Sequence, residues 1–256
     1  MRLQAANFWK YKKDAGSKRI GSWRFEVGEE VFVILYSDRD TGRGHVESFD
    51  ESADRSSADF KYRIRYLTDQ RYDVRVSRLL PVVQGQRIVV CSETQDFRYL
   101  CRTQVRKNDS VIEIGCSYGK GTKILAEQAG DSCVVGTDLS TEALEAAKKE
   151  CNVANLLRLD VVSCTAEEKV ERLNFLNSLL PHPARVVFLD IGGNRSADDV
   201  VQLVPFLRTV IRPHQIIIKN RALFADLANT CSSGMSAIQD VQTTIFQLPT
   251  MPSDTT

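Results

Sequence analysis

The chain has 256 residues, of which 43% are apolar and 26% charged, a balance ordinary for a globular protein of one large domain or one medium and one small domain. No apolar run approaches the ~18 residues that a membrane span needs, and glycine content, heptads and cysteine density do not fit a collagen, coiled coil or disulfide scaffold. The net charge of +1 hides a split: residues 1–80 carry 16 Lys/Arg against 13 Asp/Glu, and residues 81–256 carry 18 against 20.

The first 25 residues are basic. Arg2, Lys10, Lys12, Lys13, Lys18, Arg19 and Arg24 face only Asp14, with Phe8, Trp9 and Tyr11 among them. There is no apolar h-region, which argues against a secretory signal. A solvated basic arm over residues 1–24 is the preferred reading, and a mitochondrial transit peptide is the alternative.

From residue 25 to about 82, short β-like runs alternate with polar turns. Residues 31–36 form the first run, and residues 45–49 follow a turn at Gly42, Arg43 and Gly44. Residues 60–66 and 72–76 alternate apolar with charged side chains, the period of half-buried strands. This spacing predicts a small antiparallel barrel. Val27-Gly28-Glu29-Glu30-Val31 and the run Tyr72 to Pro81 resemble the opening and exit of SH3-like Tudor and chromo-barrel domains. Some such domains cage methyl-ammonium groups by cation–π attraction, for which Tyr36, Phe60, Tyr62, Tyr66 and Tyr72 are available. Alternation places Phe60, Tyr62, Ile64 and Tyr66 on one face, so some of them are core. Lys61, Arg63, Arg65, Arg75 and Arg78 offer instead a phosphate-contacting face or a solvated surface.

Residues 83–108 are expected to be a linker helix. Beyond them strands alternate with helices: strands at 111–114, 133–136, 156–159, 185–189, 215–218 and 243–246, and helices at 122–129, 141–151, from 165, from 196 and at 222–228. Ser140 is an N-cap, Thr165 with Glu168 forms a capping box, and Pro205 predicts a kink. Such repetition predicts an α/β domain over 109–248, a Rossmann-like, doubly wound, mostly parallel sheet, with a polar tail over 249–256. Cys91, Cys101, Cys116, Cys133, Cys151, Cys164 and Cys231 include no C-x-x-C pair, so no zinc site is expected. They read as reduced thiols of an intracellular protein, in cytoplasm or nucleus.

The most informative segment runs Glu113-Ile114-Gly115-Cys116-Ser117-Tyr118-Gly119-Lys120-Gly121-Thr122. A strand ends in an acid, makes a glycine-rich turn and enters a helix, whose N-terminus favours an anionic group. The spacing fits neither the dinucleotide fingerprint nor the P-loop. It resembles the first motif of the class I S-adenosylmethionine-dependent methyltransferases. Asp138, followed by Leu139, stands where that family's second acid binds the ribose hydroxyls, and Asp160 stands near the adenine position. The resemblance covers about residues 109–247. It implies S-adenosyl-L-methionine as cofactor, held by Glu113, Gly115, Cys116, Ser117, Tyr118, Gly119, Asp138, Leu139, Asp160 and Asp190.

The ends of strands 4 and 5 carry chemistry in such sheets. Here they present Asp190, followed by Ile191, Gly192, Gly193 and Asn194, and Lys219 followed by Asn220. The pair resembles the middle two members of the K-D-K-E-like set of FtsJ-type and fibrillarin-type RNA ribose 2′-O-methyltransferases. The resemblance implies Lys219 and Asp190 as catalytic residues. The outer two members have no clear match: Arg98, Arg102, Arg106 and Lys107 precede the domain, and only Asp240 lies near the last strand. Lys219-Asn220 opposes the paired acids of catechol-type enzymes, Asp190-Ile191-Gly192-Gly193 is not N-P-P-Y, and strand 4 offers no cysteine nucleophile. A structural salt bridge remains the bland reading of Asp190 and Lys219. His45, His182 and His214 are isolated and receive no role.

The expectation is therefore a methyltransferase acting on an oxygen of RNA, with residues 1–80 as the RNA-binding part. Two other readings stay open. One is a small-molecule or protein methyltransferase whose barrel recruits a methylated peptide or protein. The other is a non-catalytic assembly protein that keeps the cofactor pocket.

Overall fold

The computed structural model describes residues 25–34, 41–55, 57, 59–82, 88–191, 196–232 and 243–245. The arm 1–24, Tyr36, residues 192–194, Asp240 and the tail 249–256 lie outside them. Two compact units divide the chain, with their boundary between residues 84 and 85.

The first unit has five strands: β1 (Glu30–Ile34), β2 (Thr41–Phe49), β3 (Lys61–Tyr66), β4 (Arg71–Arg75) and β5 (Leu79–Pro81). They pair antiparallel in the order β4-β3-β2-β1-β5. The expected barrel is thus a sheet with two edges. β4 and β5 lie at opposite ends, and no pairing among the described residues closes them. The turn expected at Gly42 to Gly44 is also corrected, because both glycines lie inside β2. A Cβ on Gly42 would meet the Tyr66 ring at 2.6 Å, and one on Gly44 the Ile64 side chain at 2.5 Å. The glycines serve close cross-strand approach rather than chain reversal.

Alternation in β3 follows the sequence pattern. Tyr62 and Ile64 are buried, while Lys61, Arg63 and Arg65 are exposed. Phe25, Val31, Val33, Val46, Phe60, Val74 and Leu79 complete that core, each fully buried side chain contributing roughly 1.5–3 kcal/mol. Phe60 and Tyr62 are therefore core residues, not cage walls. The Arg55 guanidinium already lies 4.3 Å from the Phe49 ring centre and 6.0 Å from that of Tyr62. It also donates to the Phe25 carbonyl at 2.6 Å. The chain's own cation thus fills this aromatic cluster. Tyr66 and Tyr72 meet edge to face at 5.8 Å near the surface.

The second unit is a seven-stranded, all-parallel sheet in the order β12-β6-β11-β10-β7-β8-β9. Its elements are β6 (Ile88–Cys91), α1 (Thr94–Thr103), β7 (Val111–Ile114), α2 (Lys120–Ala129), β8 (Val134–Asp138), α3 (Thr141–Glu150), β9 (Asn155–Arg158), α4 (Ala166–Ser178), β10 (Val186–Leu189), α5 (Ala197–Phe206), β11 (Gln215–Lys219), α6 (Arg221–Ser232) and β12 (Thr243–Ile245). Every residue of β6, β7 and β10 is buried, as expected of strands covered on both faces. One face packs Ile112, Ile114, Val135, Val187, Leu189, Ile216 and Ile218 against Leu173, Leu176, Leu203 and Leu207. On the other, Phe97 of α1 meets Phe188 edge to face at 5.6 Å.

The linker helix expected over 83–108 is corrected. Ile88, Val89, Val90 and Cys91 form a strand between β11 and β12, and α1 follows it. Four consecutive apolar residues gain more from burial on both faces of a sheet than on one stripe of a helix. The caps at Ser140 and Thr165 form as the sequence indicates, the latter with both reciprocal bonds to Glu168. Pro205 lies inside α5, which continues as one wide π turn over Leu207–Ile211. The missing proline N–H makes such a widening a local solution. Among the described residues, no helix is long and apolar enough to cross a membrane.

Candidate functional site

The glycine-rich turn after β7 is pinned by three neighbours. Gly115 has φ +88°, and a Cβ there would run into the carbonyl oxygen of Asp190. The exits of β7 and β10 therefore touch, which only glycine permits at that position. The Gly115 and Cys116 N–H groups both donate to the Thr137 carbonyl, at 2.8 and 2.9 Å. Gly119, with φ +76°, caps α2 and lies against Ala147 of α3, where a Cβ would approach to 2.8 Å.

The second and third acids are held by backbone N–H groups. Asp138 Oδ2 accepts from Ser117 N–H at 2.8 Å, and Oδ1 from Ser140 N–H at 2.9 Å. Each oxygen keeps a second acceptor direction for a ligand hydroxyl. Asp160 Oδ1 accepts from Val162 and Ser163 N–H at 2.8 and 2.9 Å, an Asx-type turn. Arg158 donates to the Leu139 carbonyl at 3.0 Å and ties the exits of β8 and β9 together.

Asp190 and Lys219 end adjacent parallel strands, β10 and β11. Lys219 Nζ donates to both carboxylate oxygens, at 2.8 and 3.1 Å. The two side chains are 21% and 20% exposed, so the pair stands at a mouth rather than in the core. Beside it, Arg221 donates to Glu93 at 2.9 Å.

These exits surround a cavity of about 330 Å³ lined by Ile114, Gly115, Ser117, Thr137, Asp138, Leu139, Leu159, Asp160, Val161, Val162, Asp190, Ile191 and Lys219. Of the residues expected from sequence, Gly115, Ser117, Asp138, Leu139, Asp160, Asp190 and Lys219 come together here. Glu113, Cys116, Tyr118 and Gly119 do not line it. Cys116 turns inward beneath Gly136, and burial pushes its thiol well above the usual range. Tyr118 is 56% exposed on the turn. Glu113 is buried below the cavity, where Thr122 Oγ1 donates to it at 2.5 Å and Gly121 leaves room for its other oxygen. Burial raises the Glu113 carboxyl to about 8, the Thr122 bond opposes this, and the Asp190 and Asp138 charges add to it.

Six further lining residues, Ile114, Thr137, Leu159, Val161, Val162 and Ile191, are not among those expected from sequence. Val161 and Val162 directly follow Asp160, and their apolar side chains are the available signal. Thr137 is 1% exposed, and its hydroxyl has no hydrogen-bond partner among the described residues. A buried orphan hydroxyl in a cavity wall suits a site that receives polar ligand atoms. The volume falls within the usual small-molecule range. Acids for hydroxyls, an apolar wall of Leu139, Val161 and Val162, and a glycine turn that brings backbone close all fit a nucleoside cofactor.

Residues 111–191 match a protein-family model described as a methyltransferase domain. A protein named as a methyltransferase, 235L of Invertebrate iridescent virus 6, is 24% identical over 99 residues. That match takes in 36% of this chain, and the chain covers only 37% of the viral protein's length. Among solved structures, a TehB-like S-adenosylmethionine-dependent methyltransferase of Corynebacterium glutamicum superposes with TM-score 0.38 at 15% identity, over 55% of this chain and 72% of that one. An S-adenosylmethionine-dependent methyltransferase of Thiobacillus denitrificans, in complex with S-adenosyl-L-homocysteine, superposes with TM-score 0.34 at 16% identity, over 50% and 48%. The family match places a methyltransferase domain at residues 111–191, within the second unit. The cofactor of such a domain is S-adenosylmethionine.

Proposed function

We propose that this chain transfers a methyl group from S-adenosylmethionine to a hydroxyl oxygen, and that its substrate is the ribose 2′-hydroxyl of RNA. The observation that carries the oxygen chemistry is the Asp190–Lys219 pair at the cavity mouth. Asp138 and Asp160 would hold the cofactor's polar groups, and Leu139, Val161 and Val162 its base. Bound there, the cofactor would supply a methyl group on a positively charged sulfur, with a neutral thioether as the leaving group.

The chain's own residues do the rest. Asp190 fixes the Lys219 ammonium through two hydrogen bonds, which leaves one N–H to donate to the incoming oxygen. That bond aligns an oxygen lone pair for in-line attack. The hydroxyl proton passes to the Asp190 carboxylate or to water as the new bond forms. Alignment of this kind supplies much of the rate gain, since well-oriented intramolecular reactions reach effective molarities of about 10⁵ M and above.

The RNA reading rests on the first unit, whose strand β3 presents Lys61, Arg63 and Arg65 to solvent. Its test is methyl transfer from labelled cofactor to total RNA, followed by digestion to nucleosides. Label in 2′-O-methylnucleosides is expected, and label on the bases overturns the reading. A second reading, a protein substrate recruited by the first unit, is favoured by one observation. Arg63, Arg71 and Arg75 already pair with Asp73, Glu47 and Asp59 at 3.0, 2.9 and 3.5 Å. It predicts label that survives ribonuclease and is lost to protease.

A further inference from the structure

The outer face of β3 and β4 opposes like charges. In the antiparallel register Lys61 stands opposite Arg75, and Arg65 opposite Arg71. Like charges directly opposite destabilise a sheet. The sheet offsets only half of this. Arg75 pairs with Asp59, and Arg71 with Glu47 and Asp69. Between the two like-charged pairs, Arg63 pairs with its cross-strand partner Asp73. Lys61 and Arg65 are exposed and form no ion pair among the described residues. A local conflict of this sort, left uncompensated, is what a functional surface produces.

A shallow cavity lies beside Arg65, lined by Val27, Gly28, His45, Val46 and Glu47. His45 is the cross-strand partner of Arg65, and its Nδ1 lies 3.4 Å from the Gly28 carbonyl oxygen, to which its N–H can donate. Arg65 thus has an adjoining recess. Lys61 and Arg65 are four residues apart on one strand face, a separation of about 14 Å. They can engage separate phosphates of one strand.

We propose that Lys61 and Arg65, and not the paired arginines between and beside them, form the phosphodiester contacts of the first unit. The proposal rests on the RNA reading given above and names the residues through which it acts. Charge complementarity selects a polyanion, and the spacing along an extended strand selects a single-stranded RNA over a compact anion.

The test is binding of a fluorescent single-stranded oligoadenylate to the full chain across a salt series. The Lys61→Gln/Arg65→Gln double variant should weaken binding about tenfold or more and flatten the log–log salt slope by about 1.4, two contacts at about 0.7 each. Asp73→Asn, which releases Arg63, should tighten binding and steepen the slope. Equal affinity of wild type and double variant overturns the assignment of these two residues and leaves the RNA reading standing. Failure of the wild-type chain to bind the oligonucleotide overturns both. Competition by polyglutamate as strong as by unlabelled RNA of equal charge overturns RNA in favour of an acidic peptide. Retained binding of S-adenosylhomocysteine by the double variant confirms that the second unit is intact in these comparisons.

Discussion

Lys219 donates to both carboxylate oxygens of Asp190, at 2.8 and 3.1 Å, across two neighbouring parallel strands whose last residues they follow or form. The pair lines a cavity that Asp138 and Asp160 also line. A largely buried salt bridge is weak evidence of a stabilising role, because the cost of desolvating both charges offsets much of their attraction. Its position is therefore the reason to assign it chemistry.

Replacing Lys219 with alanine should lower methyl-transfer turnover by about 10²-fold or more, because it removes the N–H that aligns the incoming oxygen. Affinity for S-adenosylhomocysteine should change little, because the lysine stands at the rim. Single-turnover kinetics and calorimetry on the same preparation separate the two effects. Unchanged turnover would make the pair structural.

Glu113 gives the second unit a pH-dependent stability. Its carboxyl is raised from 4.5 to about 8 in the folded chain, chiefly by burial. Between those values the folded state holds a proton that the unfolded state has lost. Stability should therefore fall as pH rises through this window, by at most about 1.4 kcal/mol per pH unit. Glu113→Gln keeps an acceptor for Thr122 and has no charge to bury, so its urea midpoint should vary less between pH 5 and 8. A parallel pH profile in the variant would contradict the assignment.

Gly115→Ala should destabilise the second unit by about 3 kcal/mol or more, since a strained positive φ and a collision with the Asp190 carbonyl act together. The strand exits would have to separate, so cofactor affinity should fall with stability. Thermal unfolding with and without S-adenosylhomocysteine reads both. An alanine variant as stable as wild type would mean that the turn relaxes freely.

The sequence made the site's near side legible because its signals are local. Glu113, Gly115 and Gly119 stand in one strand–turn–helix, and Asp138 and Asp160 each end an apolar run. The reach of Glu113, Cys116 and Gly119 was not legible. Their backbone positions border the turn, but the pleat and the helix α3 contact send their side chains or missing side chains away from the cavity. Strand β6 was missed for a different reason. Its four residues carry no period, and what makes them a strand is pairing with β11 and β12, more than 120 residues further along. Local pattern cannot report such a partner. The SH3-like signature likewise indicated strands and their alternation, while closure depends on how the edges β4 and β5 meet.

The most direct test is calorimetric titration of S-adenosylmethionine into the wild-type chain and into Asp138→Ala. Asp138 bridges the turn at Ser117 and the α3 cap at Ser140 and lines the cavity, so its removal strips a charged acceptor from both. A charged hydrogen bond of about 1.5–3 kcal/mol corresponds to roughly a 10- to 150-fold loss of affinity. The account predicts one cofactor per chain for wild type and a loss of at least this size for the variant. No binding by wild type, or equal binding by both, would contradict it.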